Sequence, residues 1–66
     1  MKAIKGFIIL DSGRRLAISR ITAYDKCFYE NLSSVIYFID SHNQGDRVLS
    51  KYTVEEIDEA IIKAQL

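Results

Sequence analysis

The sequence predicts an α+β protein, a small antiparallel sheet of four to five strands followed by one C-terminal helix. Three observations predict it. The runs Gly6-Phe7-Ile8-Ile9-Leu10 and Val35-Ile36-Tyr37-Phe38-Ile39 carry an apolar group at nearly every position. Runs this short, bounded by turn residues and rich in β-branched and aromatic side chains, read as strands. Turn-forming clusters, Asp11-Ser12-Gly13 and Ser41-His42-Asn43-Gln44-Gly45-Asp46, follow each run and reverse the chain. Only the stretch from Val54 onward repeats its apolar residues at helical spacing.

The elements follow in order. Gly6 to Leu10 forms the first strand, and Gly13 supplies the positive φ that a tight hairpin needs. Arg15 to Ser19 alternates as a second strand, with Leu16 and Ile18 on one face and Arg15, Ala17 and Ser19 on the other. Ile21-Thr22-Ala23-Tyr24 continues after a kink as a third. Asp25 to Ser34 is polar and mixed and reads as a loop. Ser34 to Asp40 is the strongest strand, and Arg47 to Tyr52 returns beside it. Thr53 is then a helix N-cap, with Glu56 three residues later completing a capping box. The helix runs from Val54 to about Gln65. Val54, Ile57, Ile61 and Ala64 form its apolar stripe with Ala60 beside it, and Ile62 lies off the stripe. Glu55, Glu56 and Asp58 sit near the positive end of the dipole, and Glu59 pairs with Lys63.

A strand points successive side chains to opposite faces, so each greasy run offers apolar groups to both sides of a sheet. The helix is about 18 Å long and covers one side. At 66 residues the chain is one domain, residues 1–66, near the lower limit for independent folding. Domains this small lean on disulfides, metal or association. Cys27 is the single cysteine, so no disulfide forms within the chain, and it is expected as a small buried group in a reducing compartment. One Cys and one His fall short of the roughly four ligands of a structural zinc site. Association remains, and the expected state is a homo-oligomer, a dimer or larger.

Nine basic and nine acidic residues cancel, which argues against a dedicated nucleic-acid binder. No apolar run approaches the ~20 residues of a membrane span, and the run ending before Asp11 is too short for a secretory leader. The expected location is cytoplasmic, with no membrane partner.

The pieces Leu10-Asp11-Ser12-Gly13-Arg14-Arg15, Ile21-Thr22-Ala23-Tyr24, Val35-Ile36-Tyr37-Phe38-Ile39 and Thr53-Val54-Glu55-Glu56-Ile57 occur in an order that resembles the small flagellar FlbD-type proteins. More distantly it resembles LytTR DNA-binding domains. The resemblance implies a β-meander closed by a capped acidic helix, and a regulator that works through a protein partner. It carries no catalytic residue. The loop from Asp25 to Ser34 is longer than that pattern.

Catalysis finds no foothold. Asp40, Ser41 and His42 are adjacent in a turn, whereas a triad needs residues that converge on one point beside an oxyanion hole. Asp40-Ser41-His42-Asn43-Gln44-Gly45 opens like a calcium loop, but Lys51 stands where the bidentate glutamate belongs. Gly6, Gly13 and Gly45 form no phosphate-loop spacing. The expectation is no enzyme and no cofactor.

The basic residues carry the remaining signal. Arg14, Arg15 and Arg20 cluster around the second strand, with Lys26 soon after. Arginine suits bidentate capture of phosphate or carboxylate. Tyr24, Phe28, Tyr29, Tyr37 and Tyr52 offer stacking faces. The plain alternative is that the arginines are solvated residues that blunt strand edges. The expected site is Arg14, Arg15, Arg20, Tyr24 and Tyr37, lining a junction between copies. It would capture an anionic, nucleotide-type ligand by sequestration, as of a signalling molecule. The alternatives are a FlbD-type interaction regulator, meeting its partner through a strand edge or the Ile62 side of the helix, and a DNA-binding β-ribbon.

Overall fold

Turns and one short 3-10 helix divide the chain into two antiparallel sheets and a C-terminal helix, in a computed structural model that describes Met1 to Leu66. The first sheet holds β1 (Ala3–Ile4), β2 (Phe7–Ile9) and β3 (Arg15–Ala17) in that order. The second holds β4 (Ile21–Lys26), β5 (Ser34–Ile39) and β6 (Gly45–Ser50), again in chain order. Helix α1 spans Val54–Ala64.

The α+β class, the antiparallel pairing and the closing helix match expectation. The single sheet of four to five strands does not, because there are two sheets of three. The cause lies at Ile18–Arg20. These residues coil into a 3-10 turn instead of extending β3, and redirect the chain so that β4 pairs with β5. Gly6, expected inside the first strand, is instead a turn residue at φ +85°, and it folds β1 back onto β2. Asp25 and Lys26, expected in a loop, extend β4, with Lys26 opposite Ser34. The capping box forms as expected. The Glu56 amide donates to Thr53 Oγ1, and the Thr53 amide donates to Glu56 Oε1.

Three sources fill the core. Ile8, Leu10 and Leu16 come from the first sheet and its hairpin, Ile36 and Phe38 from β5, and Ile57 and Ala60 from α1. Ile8 and Leu16 stand opposite each other across β2 and β3, so one face of that sheet points inward.

Asp11, at the β2–β3 turn, ties the first sheet to the end of the second. Its Oδ1 accepts the hydroxyl of buried Ser50 at 2.7 Å, and its Oδ2 accepts the Lys51 amide at 2.8 Å. Ser50 Oγ in turn accepts the Tyr52 amide, and buried Ser34 donates to the Tyr52 carbonyl at 2.7 Å. Both buried serines are thereby satisfied, as buried polar groups must be.

The two faces of β5 differ. Ile36 and Phe38 point inward, with Tyr24 and Val48 beside Ile36 in the ladder. Val35, Tyr37 and Ile39 point the other way. On that face Ala23 and Arg47 flank Tyr37, while Asp25 and Leu49 flank Val35. On this face Tyr37 and Ile39 stay partly exposed, while Val35 is buried. The molecule measures 30 × 27 × 19 Å and exposes 4628 Å². A chain of this mass typically exposes about 4300 Å². The excess fits a flat molecule with one side of its larger sheet uncovered.

Candidate functional site

Arg14, Arg15 and Arg20 arrive from three pieces of backbone. Arg14 ends the β2–β3 turn, Arg15 opens β3, and Arg20 closes the 3-10 helix. All three line one open cleft of about 200 Å³. Phe7, Phe38, Asp40 and Ser41 are among its other walls. The 3-10 turn that splits the sheets also produces this convergence, since it brings Arg20 back toward the end of β5.

Two guanidinium groups are held by main-chain oxygens. Arg20 Nη1 donates to the Asp40 carbonyl at 2.6 Å, and Arg15 Nη1 donates to the Gly13 carbonyl at 2.6 Å. Each guanidinium carries five N–H donors, so most of each fork remains to receive an oxyanion. Arg14 lies over the ring of Phe38, 5.3 Å from its centroid, a cation–π contact that seats it on the core. The Asp40 carboxylate is engaged elsewhere. Its Oδ1 accepts the amides of His42 and Gln44 and organises the β5–β6 turn, where Asn43 takes φ +60°. Asp40, Ser41 and His42 therefore belong to a structured turn.

Tyr24 and Tyr37 do not reach the cleft. Consecutive pairing puts them on opposite faces of the second sheet, Tyr24 beside Ile36 and Tyr37 beside Ala23. Tyr24 faces α1 and donates its hydroxyl to Asp58 Oδ1. That hydrogen bond, aided by burial and the Asp58 charge, lifts its pKa from 10.0 to about 12. Tyr37 stands on the uncovered face between two shallow hollows of about 440 and 280 Å³. Arg47 lines both of these, and Ile39 lines both the larger one and the arginine cleft. Lys26 and Cys27 lie at the far end of β4, away from the arginines. Cys27, expected to be buried, is only half-buried, because it sits where the chain leaves the sheet.

A search of family models, of curated proteins and of solved structures finds no match to this chain. The reading of the site therefore stands on geometry. The sequence alone misses Phe7 and Ser41 as cleft walls. A signal for Phe7 exists in hindsight. It shares a sheet face with Arg15 and Ala17 once β2 and β3 are paired, and it remains 39% exposed despite its apolar neighbours. Ser41 has no such signal, because its position depends on the path of the 3-10 turn.

Proposed function

We propose that this chain is a non-enzymatic, homo-oligomeric binding protein that captures an anionic, nucleotide-type ligand, gripping a phosphate between Arg14, Arg15 and Arg20. That Arg14, Arg15 and Arg20 all line one cleft carries the reading. Solvated edge arginines have no reason to line one concave site, and Arg20 is tied to the carbonyl of Asp40, another cleft residue.

Size limits what a single chain can hold. Small-molecule sites typically measure roughly 300–1,000 Å³. The cleft, at about 200 Å³, accommodates a phosphate group and little more. The remainder of a nucleotide must lie over Phe7, or along Ile39 toward the uncovered sheet face. A second copy near that face would enlarge the site, which links oligomerisation to binding. The protein acts by lowering free ligand, and the ligand leaves unchanged.

Calorimetric titration with inorganic phosphate and with a panel of linear and cyclic nucleotides tests this. The expected result is saturable nucleotide binding, with the ligand recovered intact by chromatography. Arg14→Ala with Arg20→Ala weakens it at least about tenfold, since each hydrogen bond to a charged group contributes about 1.5–3 kcal/mol. Unchanged affinity in a variant whose circular dichroism is native overturns the proposal.

One observation favours a second reading, a protein-interaction regulator. Ile62 on α1 is 59% exposed, and Ile4 on β1 is 48% exposed. An amphipathic segment of a partner can dock on such residues. Capture of a stoichiometric protein partner that Ile62→Glu abolishes supports this reading, and capture unaffected by Ile62→Glu removes it.

A further inference from the structure

The uncovered face of the second sheet has the composition of an interface. Tyr37, Ile39 and Leu49 lie on it beside Val35, which its own chain already buries, and none of them packs against the central core cluster. Tyr37 stands between two hollows, which leave room for its ring to lean aside where two copies meet. Two opposite charges sit on the flanking strands, Asp25 on β4 opposite Val35 and Arg47 on β6 opposite Tyr37.

We infer that this face is the contact between two copies of the chain, related by a two-fold axis running along β5. Such an axis turns β6 of one copy over β4 of the other. The partner's Arg47 then lies above Ala23, two positions along β4 from Asp25. That displacement is about 7 Å at 3.4 Å per residue, within reach of an arginine side chain. By symmetry the pairing occurs twice. The tyrosines meet near the axis, with the sheets about 10 Å apart and aligned as in a sandwich.

Area sets the strength. Three strands of six residues cover about 300 Å². Stable interfaces bury about 800 Å² per partner. Tyr29 lines the smaller hollow and is 66% exposed. An aromatic residue buries about 150–250 Å², so the patch reaches about 500 Å², below the standard size. The dimer is therefore weak and reversible. The inference specifies the oligomer of the proposed function and does not depend on the arginine cleft.

Sedimentation equilibrium without added ligand tests it. The wild-type chain sediments as a concentration-dependent dimer. Asp25→Arg alone, or Arg47→Asp alone, puts two like-charge pairs in the interface and weakens association at least about tenfold. Mixing the two single variants restores the dimer, because a mixed pair carries both attractive contacts. Both residues are exposed, and native circular dichroism in each variant secures the comparison. A monomeric wild type, a dimer indifferent to either reversal, or a mixture that stays monomeric overturns the inference. Nucleotide binding is read separately, so failure of the dimer and failure of the cleft are distinguishable.

Discussion

Ile36 and Phe38 on one face of β5 are almost completely buried, whereas Tyr37 and Ile39 on the other face, in the same apolar run, remain partly exposed. The inner pair is covered by the chain itself, through Ile8 and Leu16 of the first sheet and Ile57 and Ala60 of α1. The outer pair is only partly covered by its own chain. An apolar run shows which residues gain by leaving water, but not whose atoms will meet them. In a chain of this length, the only helix and the smaller sheet are both used on one side.

The largest effect that would sharpen this contrast is on the inner face. Ile36→Ala leaves a cavity costing about 2–5 kcal/mol. A 66-residue domain has roughly 3–10 kcal/mol of stability in total, so urea denaturation should find this variant close to unfolding. Tyr37→Ala, one residue along and only partly buried, should cost the monomer clearly less and act also on association. Equal losses at the two positions would break the comparison.

Next comes the tie between the sheets. Asp11→Ala removes two hydrogen bonds and leaves the buried Ser50 hydroxyl without its acceptor. The expected cost is about 1–3 kcal/mol in the denaturation midpoint. A neutral result would mean that Ser50 finds another acceptor and that the first sheet is held by apolar packing alone.

The smallest effect is alkaline. The folded state raises the Tyr24 pKa, so its protonated hydroxyl is favoured by folding. That contribution is complete below pH 10, the ordinary tyrosine value, and is lost as pH rises toward about 12. Thermal melting followed across this window should fall more steeply for the wild type than for Tyr24→Phe. Identical slopes would show that the contact with Asp58 adds nothing to the inner face.

Much of this was legible in the sequence. The two greasy runs, the Asp11-Ser12-Gly13 turn and the capping box of Thr53 and Glu56 are local signals, and each forms, though Gly6 leaves the first strand for a turn. The division into two sheets was not legible. It depends on Ile18, Ser19 and Arg20 coiling where alternation suggested a continuing strand, and three residues carry too little pattern to decide between those states. The arginine cluster was visible as a cluster, but its concavity comes from the same 3-10 turn. Composition alone groups the tyrosines with the arginines. Ladder pairing separates them, because adjacent pairs in β4 and β5 face opposite sides of the sheet.

The most direct test of the central claim, a small binding protein completed by a second copy of itself, is native mass spectrometry of gently purified chain. The expected spectrum shows a species at twice 7.6 kDa, or a larger multiple, carrying a small-molecule mass that Arg14→Ala with Arg20→Ala no longer retains. A bare 7.6 kDa monomer at every protein concentration would contradict it.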